Sequence, residues 1–374
     1  MGRERRKFFK SLPNNLTYKP VKSIKIGNKL IGKGQPVFII AEVGANHRNK
    51  IKNALKAIEL AAGFGADAIK FQHLTHDKIA ADTVVYDEWN GKKVGSLSEF
   101  YKSAELPYSW TKKLIANAKK HNIMFLSSPF DKEAVDVLDK MGVPAFKVAS
   151  YELTDDILLR YIARKGKPII LSTGMAYLEE VAHAVRIIQE EGNNKIILLH
   201  CVSVYPPKSF KDLNLHAIKT LQESFKLPVG YSDHSKPPHL AAPIAATTLG
   251  ACVIEKHFTD TRKGDSNDGP NSLTPEEFKL MVKEIRNTEL SLLKDGIKQP
   301  VSYPDHKGDE VFDRWARRSL YAACNISTGS NITEDMITTL RPWGGIAPKD
   351  ARLVIGKKVL RDIKAREAIT WNDF

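Results

Sequence analysis

The sequence predicts an α/β protein, a (β/α)8 TIM barrel followed by a small β-rich domain. Two observations carry this. Eight short apolar, β-branched runs, at 37–43, 66–71, 123–127, 145–149, 168–172, 196–200, 228–231 and 251–256, alternate with helical patterns. Nearly continuous apolar runs of this length read as buried parallel strands, and eight strand–helix units in about 250 residues is barrel arithmetic. The rival, an open doubly wound sheet, expects a Gly-x-Gly-x-x-Gly after its first strand, and none follows.

Taken in order, residues 1–35 form a basic extension with a hairpin signal at Ile26-Gly-Asn-Lys-Leu-Ile31. The barrel occupies 36–296. Its first helix, over 50–63, is apolar at Ile51, Leu55, Ile58 and Ala62 and stops at glycine. Helical patterns at 177–192 and 213–227 behave similarly. Thr274-Pro-Glu-Glu277 is a helix start, with a capping Thr, Pro at the first position and acids in the first turn. The second strand and the third are far apart, with Tyr86-Asp-Glu-Trp-Asn-Gly91 and a helix over 107–121 between them. So long a loop on a barrel covers the active site or serves an interface. A linker over 297–315 contains two prolines. The tail, 316–374, has short strands, many turns and no long helix.

Composition sets further limits. The 374 residues carry 57 basic and 43 acidic side chains, a formal charge of +14. That charge fits a polyanion partner, an anionic substrate or a lysine-rich surface. With no recognition helix, zinc knuckle or aromatic-basic platform, a polyanion-binding non-enzyme is the remote alternative, and neither nucleic acid nor membrane is expected as a partner. No apolar run reaches the roughly 18–20 residues of a membrane span. The charged N-terminus has no apolar segment after it, which argues against a secretory signal. Cys201, Cys252 and Cys324 are widely spaced, so a cytoplasmic location is expected.

The chemistry of a barrel sits at the C-terminal ends of its strands. Lys70 and Lys147 occupy comparable places there, and Ser128, Ser150, Ser172, Ser203 and Ser232 recur on five strands. Lysines with a ring of hydroxyls suit a phosphate or carboxylate ligand. His234 and His257 end adjacent strands, with Glu42 and Glu255 nearby if the barrel closes. Two imidazoles with carboxylate oxygens suit a divalent metal such as Mn, Fe, Co or Zn. On spacing alone His47, His200 and Asp233 compete as ligands. Glu152 reads either as a general acid/base or hydroxyl-binding group, or as an ion pair with Lys147. Together these residues describe an enzyme for a phosphorylated acid, with aldol-like carbon–carbon chemistry or phosphoryl-linked elimination.

Ordered motifs then resemble the sialic acid synthase (N-acetylneuraminate synthase) family, with its pseudaminate, legionaminate and spore-coat polysaccharide branches. They are Ala41-Glu-Val-Gly-Ala-Asn-His47, Lys70-Phe-Gln72, Ser127-Ser-Pro-Phe-Asp131, Phe146-Lys-Val-Ala-Ser-Tyr-Glu152, Ser172-Thr-Gly-Met175, His200-Cys-Val-Ser-Val-Tyr-Pro206, Gly230-Tyr-Ser-Asp-His234 and Glu255-Lys-His-Phe258. The tail, with Leu340-Arg-Pro-Trp-Gly-Gly-Ile-Ala-Pro348, is similar to the antifreeze-like (SAF, β-clip) domain of that family.

The resemblance implies a transferase that condenses phosphoenolpyruvate with N-acetylmannosamine or a related N-acylated aldose, giving a nine-carbon 2-keto acid and phosphate. The alternative acceptor is a dideoxy diacetamido hexose, as in the pseudaminate and legionaminate branches. A heptulosonate-type synthase is a further possibility, against which the tail argues. By motif, Lys70, Ser128, Lys147, Ser150, Ser172, Ser203 and Ser232 would hold phosphoenolpyruvate. His234 and His257 would ligate Mn2+, with Mg2+ or Co2+ as substitutes. Glu42, Glu152 and Asp268 would be the catalytic carboxylates. Gln72, Tyr205 and, from the other subunit of a homodimer, Arg341 would meet the sugar, the antifreeze-like domain covering the barrel mouth of its partner. Two departures stand out: Asp268-Gly-Pro-Asn-Ser-Leu273 lacks the Asp-His pair common in relatives, and Arg341-Pro-Trp343 has Trp where Gly commonly follows Pro.

Overall fold

In a computed structural model, residues 20–81, 87–89, 92–94, 96–263, 266–292 and 315–374 are described. The chain divides into two compact units between residues 294 and 295.

The first unit opens with a hairpin, β1 (Ser23–Ile26) and β2 (Lys29–Gly32), paired antiparallel. Alternating strands and helices follow: β3 (Phe38–Glu42), α1 (Ile51–Gly63), β4 (Ala68–His73) and the short α2 (His76–Ile79). The long connection contains a two-stranded ribbon, β5 (Asp87–Trp89) and β6 (Lys92–Val94), then α3 (Leu97–Lys102) and α4 (Thr111–Lys120). Next come β7 (Met124–Pro129), α5 (Lys132–Lys140), β8 (Phe146–Val148), α6 (Asp156–Ala163), β9 (Ile169–Ser172) and α7 (Leu178–Glu190). The unit finishes with β10 (Ile196–Cys201), α8 (Ala217–Phe225), β11 (Val229–Asp233), α9 (Ala241–Thr248), β12 (Val253–His257) and α10 (Pro275–Ser291).

Eight of these strands form one parallel sheet in the order β7-β4-β3-β12-β11-β10-β9-β8. The end strands β7 and β8 lie side by side, so the sheet curls into the expected barrel. Two apolar layers hold it. The outer layer packs helices on strands and includes Ile58, Phe71, Leu159, Ile188, Tyr231 and Phe278. The inner layer fills the N-terminal half of the barrel with Phe38, Ile40, Leu126, Ile170, Leu199 and Val253. Ile24, Ile26 and Ile31 of the hairpin join that inner cluster, so the hairpin plugs this end of the barrel.

Local chemistry explains the boundaries. Asp131 caps α5 by accepting from the Ala134 N–H at 2.8 Å, and Asp155 caps α6 through the Leu158 N–H at 3.0 Å. Thr274 and Glu277 form a capping box at α10, with Pro275 in the first turn, as the sequence predicts.

The second unit has its own core, including Leu320, Ile326, Ile346, Val354 and Ile369, around an antiparallel pair, β13 (Ser319–Ala322) and β14 (Ile337–Leu340). Its remaining described elements are short helical turns, as its turn-rich sequence suggests. The predicted linker lies mostly outside the described residues, as do Tyr86, Asn90 and Gly91.

Candidate active site

Strand alternation builds the site. Side chains two apart share a face, so following the inner cluster towards the C-terminal ends leads from Ile40 to Glu42, Ala68 to Lys70 and Leu126 to Ser128. It leads likewise from Ala145 to Lys147, Ile170 to Ser172, Leu199 to Cys201, and Val253 to Glu255 and His257. Register sets their neighbours. Glu42 pairs with Lys70 on one side and His257 on the other, and Ser232 pairs with both Cys201 and Glu255.

The centre is a buried group of two lysines and two glutamates. Lys70 Nζ lies 2.7 Å from Glu42 and 3.8 Å from Glu255, and Lys147 Nζ lies 3.7 Å from Glu255. Lys70 also donates to Ser128 Oγ at 3.3 Å, and Lys147 to Ser172 Oγ at 2.7 Å. Ser232 donates to Glu255 at 2.9 Å, and Gln72 Nε2 to Glu42 at 2.7 Å. The four formal charges cancel, which makes their burial tolerable. Burial pushes the Glu255 carboxyl up, but Lys147 and Lys70 outweigh it and hold the group at about 2. Burial pushes Glu42 up despite Lys70, and it lowers Lys147 despite Glu255.

The flanking loops complete the cavity. Gly174 is a close-approach point: a Cβ there would overlap Ser203 Oγ and lie 2.8 Å from Ser150 Oγ. Its N–H donates to Ser150 Oγ at 3.0 Å, so the loops after β8, β9 and β10 converge on one polar corner. Gly44, at φ +49°, is a second such point, because a Cβ would overlap Asp268 Oδ2. That carboxylate accepts from the Ala45 N–H at 2.7 Å and stands beside His257. Asp268 therefore stands at the edge of the site, beside His257.

His234 and His257 meet as expected, with ring centroids 5.4 Å apart, and Tyr205 packs against both rings at 4.0 and 5.8 Å. His234 Nδ1 donates to Val202 O at 2.8 Å, which directs Nε2 into the cavity. His257 Nδ1 is buried and has no hydrogen-bond partner. Burial holds this imidazole at about 4, so it is neutral and its lone pair is available. An imidazole pair beside carboxylates, with His257 neutral and one of its nitrogens orphaned, is a donor set that fits a divalent cation.

Two of the three competing ligands face away from the cavity. His200 points to the outer layer, stacks on Tyr231 and bonds Leu213 O at 2.7 Å. Asp233 is also outward, paired with Lys256. His47 is buried and accepts from the Asn49 N–H at 3.1 Å. Among the described residues, the one group of three metal-ligating side chains whose ligand atoms lie within 4.8 Å of one another is His76, Asp77 and Glu105; Asp77 is exposed, and His76 is already paired with Glu105.

Glu152 sits in the turn after β8. Lys147 partners Ser172, Val148 O and Glu255 rather than Glu152, so the ion-pair reading of Glu152 fails. One oxygen of Glu152 is buried without a partner, and burial raises its carboxyl to about 7. Arg341 is exposed on the second unit, just after β14. Sequence reasoning missed Tyr101, Tyr151, Phe130 and Cys201 as lining residues and named Glu255 only as a carboxylate near the two imidazoles. Inward alternation from Val253 and Leu199 would have found Glu255 and Cys201. Tyr101 comes from α3 in the long connection, and no local signal pointed to it.

Residues 57–298 match the NeuB family model and residues 317–374 match the SAF domain. The chain belongs to the NeuB family. A pseudaminic acid synthase of Campylobacter jejuni is 39% identical over 94% of this chain and 100% of its own length. An N,N'-diacetyllegionaminic acid synthase of the same species is 39% identical over 89% of this chain and 98% of its own length. Among solved structures, the spore coat polysaccharide biosynthesis protein SpsE of Bacillus subtilis is 37% identical. That match covers 94% of this chain and 98% of SpsE, with a TM-score of 0.64. The chain is thus similar to synthases along nearly its whole length.

Proposed function

We propose that this enzyme condenses phosphoenolpyruvate with an N-acylated aldose, N-acetylmannosamine or a diacetamido hexose, giving a nine-carbon 2-keto sugar acid and phosphate. The observation that carries the reading is the buried cluster of Lys70 and Lys147, ringed by Ser128, Ser172 and Ser232 and flanked by Ser150 and Ser203. Two cations with hydroxyl donors in a water-poor cavity favour a small polyanion. The names of the relatives supply the sugar-acid product class.

The bonds balance as follows. C3 of phosphoenolpyruvate bonds to the aldehyde carbon, whose oxygen takes up a proton and becomes a hydroxyl; water adds at C2; and the C2–O bond to phosphate breaks as the C2 hydroxyl loses its proton and becomes the ketone. Lys70 and Lys147 offset the charge on the departing phosphate. Glu42, held by Gln72 and raised by burial, takes the proton of the attacking water. Gln72 and Tyr205 line the wall and Tyr101 closes it from the long connection; Glu152 and Asp268, outside that lining, serve the sugar hydroxyls. A divalent metal held by His234 and His257, Mn2+ by the family resemblance, would supply Lewis-acid polarisation of the aldehyde oxygen. A homodimer, with Arg341 of one subunit serving the other, belongs to the same proposal.

Phosphate release tests it. With phosphoenolpyruvate, release should require an acceptor, stop on chelation and return with manganese. A panel of N-acetylmannosamine, its 6-phosphate and the pseudaminate and legionaminate precursor sugars identifies the acceptor. No release with any of them from metal-loaded protein overturns the reading. The diacetamido hexoses form the second reading, favoured by the 39% identity to the two Campylobacter synthases.

A further inference from the structure

We infer that the buried Asp233–Lys256 ion pair, on the outer face of the barrel wall, is a positioning device for the metal-binding imidazole of His234. The inference rests on the metal reading above.

The two residues are cross-strand partners in the β11–β12 register, directly after the inward pair Ser232 and Glu255. One register thus carries two polar pairs, Ser232–Glu255 in the cavity and Asp233–Lys256 behind it. Lys256 Nζ lies 2.8 Å from Asp233, and both side chains are 0% exposed. An ion pair this deep gains little stability over an apolar pair of the same size, so its value must lie in what it holds.

What it holds is the residue after His234. Asp233 accepts from both the N–H and the hydroxyl of Ser235 at 2.9 Å. Lys256 donates to the Ser235 carbonyl at 2.6 Å. Tyr231 donates its hydroxyl at 3.1 Å to Asp233 Oδ1, the oxygen that also takes the Ser235 N–H, and its ring is braced against His200. Every polar group of Ser235 is therefore tied to the pair. His234 is fixed between two immobilised neighbours, and its own Nδ1 is set by Val202 O. The imidazole has little freedom left except to present Nε2. Outer partners of this kind typically tune metal affinity 10–100-fold.

The test is Mn2+ binding to the full chain without substrates, by calorimetry, with thermal unfolding alongside. Wild type should bind one Mn2+ per chain and His234→Ala should lose it. The double variant Asp233→Asn/Lys256→Met removes both charges and the grip on the Ser235 carbonyl. It should stay folded and bind Mn2+ about 10-fold more weakly, with the KM for phosphoenolpyruvate little changed because Lys70 and Lys147 are untouched. A folded double variant with wild-type Mn2+ affinity overturns the inference while leaving the metal reading intact. If His234→Ala binds Mn2+ like wild type, the metal reading fails and the inference falls with it. Should the double variant not fold, Ser235→Ala decides: it keeps the ion pair, so a several-fold loss of affinity supports the device and no loss overturns it.

Discussion

The two ends of the barrel interior are built from the same strands and the same inward face, yet they are chemically opposite. Towards the N-terminal ends the positions hold Ile40, Ala68, Leu126, Ile170 and Val253, and the hairpin isoleucines cap them. Two residues further on, the same strands present Glu42, Lys70, Ser128, Ser172 and Glu255. The lower half gains stability from apolar burial. The upper half bears the cost of desolvating four charges and recovers it only through mutual pairing. Stability and chemistry are thus separated along each strand by a single pleat repeat.

The sharpest way to break this comparison is to make the upper half resemble the lower. Lys147→Met/Glu255→Gln removes one cation and one anion and leaves the Lys70–Glu42 pair, 2.7 Å apart, intact. Phosphate release should fall at least ~10²-fold, while the melting temperature holds or rises, because replacing buried ion pairs by neutral groups is often stabilising by about 1–4 kcal/mol. A large loss of stability in this variant would show that the charged cluster holds the fold as well as the substrate.

The converse is Leu126→Ala, in the lower half. It should cost about 2–5 kcal/mol in denaturant unfolding, with kcat/KM for phosphoenolpyruvate unchanged wherever the protein remains folded. A change in kinetics at equal folded fraction would mean the two halves are mechanically coupled.

The smallest expected effect concerns Glu152. Its carboxyl is raised from 4.5 to about 7 in the folded chain. Between those values the folded state keeps a proton that the unfolded state releases. Stability from this group is therefore full below pH 4.5 and declines as pH rises through 7, by up to about 3 kcal/mol. Unfolding of Glu152→Gln across pH 4.5 to 7 should lack that decline, and an unchanged slope would assign the proton elsewhere.

Much of this was legible in the chain itself. Eight short apolar runs with helices between them specify a barrel, since few other folds bury so many parallel strands. The strand-end residues named Lys70, Lys147, His234 and His257 because charge beside a buried strand is costly without a use. Asp268 was ambiguous, because its neighbours lack the His of relatives. Its place beside Ala45 depends on a loop that returns across 223 residues of sequence.

Other matters were decided only by the tertiary structure. Period-2 alternation says that Asp233 and His234 face opposite ways, but not which one faces in. Closure of the sheet made that choice, turning Asp233 and His200 outward and leaving His234 and His257 in the cavity. Tyr101 entered through a long connection whose sequence has no period to follow. The motifs determined which groups were available; the distances that let four buried charges neutralise one another arise only when strands far apart in sequence lie side by side.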